Sequence, residues 1–207
     1  MVQSTNPWDE IYKQQGRVFT EPHEDMPGIV RLLKDRGAST VLDLGSGTGR
    51  HIVYLARHGL SVFGLDNSPE GIKVTRQWLA DEGLVANLQL QSMTERLPYE
   101  DAFFDAVISV QVIHHAGIAT IRGIVGEISR VLKRGGFLFV TVPRPRNQAG
   151  RFEQVEPNTF IPLDGPERGL PHHIFTPEEL REVFGGFDVA DIHLDAVHHY
   201  CLWADKR

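Results

Sequence analysis

Cysteine is nearly missing from this 207-residue chain, and the single Cys201 excludes an intrachain disulfide and fits a reducing compartment. Basic residues are outnumbered, 21 Lys and Arg against 27 Asp and Glu, for a net charge of −6. Binding to a phosphate backbone needs clustered cations that release counterions, so a broad nucleic-acid footprint is not expected. No apolar run approaches the ~18 residues of a membrane-crossing helix. The opening MVQSTNPWDEIYK also lacks a basic stretch followed by an apolar core. These absences lead to the expectation of a cytoplasmic protein without membrane or nucleic-acid partners. Repeats and low-complexity tracts are absent as well, and the length fits one α/β domain over residues 1–207.

What is present is an alternation of short β-rich runs with helical patterns from Ser39 to about Val142. That order favours a doubly wound, mostly parallel sheet with crossover helices. The expected strands are Thr40–Leu44, Ser61–Asp66, Asn87–Gln91, Phe104–Val110 and Gly136–Val142, short and apolar as buried parallel strands should be. Between them, Ile52, Val53, Leu55 and Ala56 form an apolar face that ends at Gly59, a C-terminal cap. Ser68 before Pro69 reads as an N-cap with proline at the first helical position. From Thr120 to Lys133, apolar residues recur at three-to-four spacing, and Gly135 and Gly136 are expected to stop that helix.

After Val142 the pattern breaks. Residues Pro143 to Pro171 carry six prolines and read as a long irregular insertion, with one short element around Arg151 to Val155. Thr176 to Leu180, TPEEL, makes a capping box in which Glu179 reaches back toward Thr176. Phe187–Val197 and His198–Ala204 then close the chain as a pair of strands.

The most informative stretch is VLDLGSGTGRHIVYLARHG, with three glycines in five residues between a strand and a helix. Bare backbone lets a ligand approach, and helix-start amides face it. Asp66 ends the next apolar run, where a carboxylate can accept hydrogen bonds from the hydroxyls of an adenosine ribose. Loop and acid together point to nucleoside binding. A dinucleotide fingerprint counted from Gly45 would place its third glycine at Arg50, and the glycine instead comes early, at Gly49.

The segment DLGSGTG resembles motif I of the class I methyltransferases that use S-adenosylmethionine, D/E-x-G-x-G-x-G, matched at Asp43, Gly45, Gly47 and Gly49. LPYEDAFFDAVISVQVIHH, ISRVLKRGGFLFVTV and HHIFTPEEL are similar to later segments of the type 11, small-molecule subgroup. The resemblance implies a Rossmann-like fold whose seven-stranded sheet has an antiparallel last strand. It also implies methyl transfer from S-adenosylmethionine, leaving S-adenosylhomocysteine, to a small-molecule acceptor. Within the single domain it marks residues 1–38 as a lid, 39–142 as the cofactor-binding core, 143–175 as a substrate-side insertion and 176–207 as the closing helix and strands.

The cofactor-binding set it implies is Asp43, Gly45, Ser46, Gly47, Gly49, Asp66, Asn67, Ser92, Met93, Thr94 and Val110. Asp43 would serve the ammonium end or, alternatively, accept the amides of the glycine loop. The subgroup's adenine-binding aspartate is replaced here by Ser92 or Met93 in QSMTERLPY. Methyl transfer is an in-line displacement that depends mainly on positioning, with a base useful when the acceptor carries a proton. His114 and His115, after the fourth strand, are candidates for that base, and packing or hydrogen bonding is the alternative. Candidate substrate contacts are Trp8, Tyr12, Arg144, His172 and Tyr200, with Phe19, Arg146, Arg151 and His173 as further possibilities. Adjacent histidines lack the spacing of a zinc cluster, so no metal is expected. Two other readings stay open: a binding protein without catalysis and a nicotinamide-dependent reductase, against which Arg50 and the lack of a Tyr-x-x-x-Lys pair both count.

Overall fold

The computed structural model describes residues 7–145 and 150–207. Arg146 lies outside the described residues. The chain falls into two compact units, Met1–Glu95 and Arg96–Arg207.

The first unit runs α1 (Pro7–Gln15), α2 (Met26–Asp35), β1 (Thr40–Leu44), α3 (Arg50–Arg57), β2 (Ser61–Asp66), α4 (Pro69–Asp81) and β3 (Asn87–Leu90). Its three strands lie in the order β3-β2-β1. All are parallel, with Asp43 opposite Gly64 and Asp66 opposite Leu90. Val41, Leu42 and Leu44 of β1 are fully buried, as are Ile29 and Leu33 of α2 and Ile52 and Leu55 of α3. At α4 the expected start is found: Ser68 is the N-cap, its hydroxyl accepting from the Gly71 amide at 3.0 Å, and Pro69 follows. Gly59 takes φ +82 just past α3, which a residue with a Cβ adopts only with strain. In contrast to the expectation of buried strands throughout, β3 is mostly exposed, because within this unit it pairs on one side only.

The second unit runs β4 (Phe104–Val110), α5 (Ile118–Val131), β5 (Leu132–Val142), β6 (Phe152–Glu156), β7 (Thr159–Pro162), β8 (His172–His173), α6 (Pro177–Val183), β9 (Phe187–Leu194) and β10 (Tyr200–Lys206). Four of its strands lie in the order β4-β5-β10-β9. β5 is parallel to β4, and β10 is antiparallel to both β5 and β9, so the last strand is the reversed one. With β1 to β3 this gives the seven strands expected of the main sheet.

Three expectations fail in this unit. The short element expected around Arg151 to Val155 is found as β6, but the rest of the insertion is not irregular: β6, β7 and β8 form a separate antiparallel sheet. Helix α5 ends at Val131, before the glycines, and β5 begins at Leu132, because Leu132 is already extended at ψ 138°. In the capping box, Thr176 accepts from the Glu179 amide at 3.2 Å, but the Glu179 carboxylate lies 3.2 Å from His173 Nε2 and makes no bond to the Thr176 amide. Elsewhere, Arg130 pins the segment before β4. Its guanidinium donates to the carbonyls of Tyr99 and Leu97 at 2.8 and 2.9 Å, while Glu127 accepts from the Leu97 amide at 2.8 Å. Among the described residues no helix is long and apolar enough to cross a membrane.

Candidate functional site

In the first unit the chain leaves β1 through a turn in which Gly45, Gly47 and Gly49 all have positive φ. The amides of Gly45 and Ser46 donate to the Leu65 carbonyl at 2.8 and 3.1 Å, fastening the turn to β2. The Gly47 amide donates to Asp66 Oδ2 at 2.7 Å, and the Ser68 amide to Asp66 Oδ1 at 2.8 Å. Asp66 therefore joins the glycine turn to the start of α4. Burial raises its pKa, and the amides of Ser68, Gly47 and Asn67 oppose that rise. A carboxylate offers about four acceptor sites, and these three amides leave about one for a sugar hydroxyl. Gripping both hydroxyls at once, as the sequence suggested, requires an amide to give way.

Close packing explains the glycines. A Cβ on Gly47 would lie 2.8 Å from the Tyr12 hydroxyl, and one on Gly49 would lie 2.5 Å from Thr75 Cγ2. Tyr12, on α1, thus lies against the turn, and its ring is 5.7 Å from that of Trp8, which is 6.4 Å from that of Phe19. Arg50, unhelpful to a dinucleotide fingerprint, stacks over Phe19 at 5.1 Å. Asp9 carried no motif that marked it. It sits one turn before Lys13 on α1, yet its Oδ1 accepts from the Ser68 hydroxyl at 2.6 Å and the Glu70 amide at 3.0 Å, 59 and 61 residues away. Burial acts against its ionisation, but Lys13 and Ser68 hold its pKa down to about 2.

Asp43 is the unusual group. It is 1% exposed, and neither carboxylate oxygen has a hydrogen-bond partner among the described residues. The suggested alternative, acceptance of the loop amides, is overturned, since those amides go to Leu65 and Asp66. Burial pushes its pKa up to about 7, Arg50 pulling down and Asp66 adding to the rise. His51 Nδ1 stands 3.9 Å from Asp43 Oδ2. The other ring nitrogen, Nε2, accepts from the His23 amide at 3.2 Å, so the proton is assigned to Nδ1. Burial holds His51 well below the usual histidine range. A buried carboxylate with two unused oxygens beside bare backbone suits a cationic ligand group. Ser46 Oγ, also buried without a partner, is a further polar atom there. Past β3, the Ser92 and Thr94 hydroxyls bond each other at 2.8 Å, and Met93 is half-buried beside them.

In the second unit, Val110 ends β4 and is 8% exposed. Gln111 turns the chain at φ +60, its side-chain amide donating to Thr141 Oγ1 at 3.0 Å. This turn delivers His114 and His115. Their ring centroids are 3.9 Å apart, and the His172 ring lies 4.7 Å from that of His115 and 5.7 Å from that of His114. The His173 amide donates to the His114 carbonyl at 2.8 Å, which docks β8 on the turn after β4. Burial, then the neighbouring histidines, keep His114 well below its usual pKa and bring His115 down to about 3. His173 turns instead to Thr159 Oγ1, 2.8 Å from its Nδ1. Arg144 follows β5 with its Nε buried and without a hydrogen-bond partner among the described residues, Tyr200 opens β10 opposite Val142, and Arg151 is an exposed residue paired with Asp164 at 3.2 Å.

Residues 42–140 match the family described as a methyltransferase domain. An uncharacterized methyltransferase of Synechocystis sp. is 36% identical over 108 residues, covering 52% of this chain and 49% of that protein. A ubiquinone biosynthesis O-methyltransferase of Xylella fastidiosa is 35% identical over 101 residues, covering 49% of this chain and 40% of that protein. The match thus spans half or less of the length of these curated relatives. The solved 1,6-didemethyltoxoflavin-N1-methyltransferase of Burkholderia thailandensis, with bound 1,6-didemethyltoxoflavin and S-adenosylhomocysteine, shares the fold. Its TM-score is 0.70 at 20% identity, over 97% of this chain and 86% of that one. The doubly wound, Rossmann-like methyltransferase fold expected from the sequence is therefore the fold of this chain.

Proposed function

We propose that this protein is a cytoplasmic enzyme that transfers a methyl group from S-adenosylmethionine to a small-molecule acceptor. The observation that carries the reading is the buried Asp43, both oxygens unused, beside a three-glycine turn within the matched methyltransferase segment. When bound, the cofactor supplies the methyl group as a reactive sulfonium. Asp43 then offers a carboxylate to the ammonium end of the cofactor's amino-acid part. Asp66 holds a ribose hydroxyl, with Asn67 beside it. Gly45, Ser46, Gly47 and Gly49 line the approach with backbone, and Ser92, Met93, Thr94 and Val110 complete the cofactor set. Tyr12 and Trp8 cover the turn and keep water out.

The acceptor class follows from three supports: the acidic chain, and the quinone-pathway and toxoflavin compounds in the names of the two relatives described above. Arg144, His172 and Tyr200 are the proposed acceptor contacts. His114 and His115 are poor bases where they stand, since a general base works best with a pKa near the working pH.

Incubation with S-adenosylmethionine carrying a labelled methyl group, and a panel of small phenols, amines and carboxylates, tests the proposal. Label appearing in a panel compound supports it. Tight S-adenosylhomocysteine binding with no label transferred across a broad panel favours a binding protein without catalysis.

A further inference from the structure

We propose that His114, His115 and His172, with Glu167 beside them, form a binding site for one divalent first-row transition-metal ion such as zinc. Each of the three imidazoles presents a nitrogen, and these nitrogens all lie within 4.8 Å of one another. Two ligands of one tetrahedral zinc ion, each ~2.0–2.1 Å from it, stand ~3.3 Å apart, so a contraction of at most about 1.5 Å closes the set. Glu167 supplies the charge. Its Oε2 lies 3.6 Å from His172 Nε2 and its Oε1 4.0 Å from His115 Nε2. These separations are too long for hydrogen bonds and close to the span between two ligands of a shared ion.

Two further observations point to a ligand here. His114 Nδ1 and His172 Nε2 are buried without hydrogen-bond partners among the described residues. A buried nitrogen left unbonded is costly, and coordination would recover that loss. The surrounding backbone is also built to hold the groups in place. The His173 amide is bonded to the His114 carbonyl at 2.8 Å, and β8 is paired to β7 with His172 opposite Phe160. Glu167 sits in a turn closed by Gly169 N to Pro162 O at 2.9 Å and Leu170 N to Glu167 O at 3.0 Å.

Local spacing hid this set from the sequence, because the third histidine and the acid arrive from the β6–β8 insertion. Imidazoles with one carboxylate suit zinc, iron, cobalt, nickel or copper better than magnesium or calcium. An ion here would also lower the pKa of an oxygen bound to it, giving a hydroxyl acceptor a route to lose its proton. That consequence rests on the methyl-transfer reading, whereas the metal site does not.

The test strips the full chain with a chelator and titrates it with Zn²⁺ by calorimetry and with Co²⁺ by visible absorption. The expected result is one ion per chain, a ligand-field spectrum of nitrogen-rich coordination, and a rise in the unfolding temperature with Zn²⁺. Glu167→Gln should weaken binding 10- to 100-fold, and His114→Asn or His172→Asn by more than that. His198→Asn, at an exposed histidine, should leave binding unchanged. Circular dichroism and S-adenosylhomocysteine binding report whether each variant folds, and Glu167→Gln decides the matter if a histidine variant does not. No stoichiometric binding, or binding that the folded variants retain, overturns the proposal.

Discussion

Alanine at Gly47 tests how α1 lies on the glycine turn. Gly47 has φ +54, which costs an L-residue with a side chain about 1–2 kcal/mol. Its new Cβ would also stand 2.8 Å from the Tyr12 hydroxyl, well inside ordinary contact. Forcing the ring or the turn aside adds about 1–3 kcal/mol, as overpacking generally does. Gly47→Ala should therefore lose about 2–5 kcal/mol. Tyr12→Phe removes the clashing oxygen and leaves Cζ as the next atom, 3.5 Å from the new Cβ. In the double variant only the backbone strain remains, so the two changes couple favourably by about 1–3 kcal/mol. Urea denaturation of the wild type, both single variants and the double variant measures that coupling. Additivity within about 0.5 kcal/mol would refute the contact between Tyr12 and the turn.

Three further outcomes follow from the same geometry. Asp66→Asn faces an amide NH₂ toward the Gly47 or Ser68 amide and should cost about 2–3 kcal/mol in denaturation. Calorimetry should show S-adenosylhomocysteine binding that variant about 2 kcal/mol, or ~30-fold, more weakly. For Asp43, the folded pKa of about 7 is raised above its ordinary 3.8, so its contribution to stability is present below pH 3.8 and is lost as pH rises to 7. Asp43→Asn abolishes that loss. The wild-type-minus-variant stability, which cancels the opposite slope from the neutral buried histidines, should fall across this window, and a flat difference curve contradicts the assignment. Arg130→Lys gives up the forked contacts to Tyr99, Leu97 and Glu127. It should cost about 1–2 kcal/mol, read as a lower urea midpoint with an unchanged slope.

The strands β1, β2 and β4 were legible to the residue, because each apolar run is bounded by glycine, polar or aspartate signals that break the pattern. The glycine turn and Asp66 were legible for the same local reason. The β6–β8 sheet was not. Its strands are short, β6 is mostly exposed, and the prolines around them read as loop, while what orders them is pairing across the chain and the dock of His173 on His114. Nor did periodicity show where α5 stops, since Leu132 continues the apolar spacing while its backbone has already turned extended. Asp9 escaped because its partners lie some sixty residues on. The place of Asp66 at the end of β2 was legible, but its bonds to three amides were not, since their donors lie in the glycine turn and at the start of α4.

The central claim is that the turn after β1, with Asp43 and Asp66, holds the sulfonium nucleoside. Calorimetric titration of the wild-type chain with S-adenosylhomocysteine, with NADH in a parallel cell, tests it most directly. One site per chain for S-adenosylhomocysteine, with no heat from NADH, is the predicted result. Saturable NADH binding with none for S-adenosylhomocysteine would contradict it.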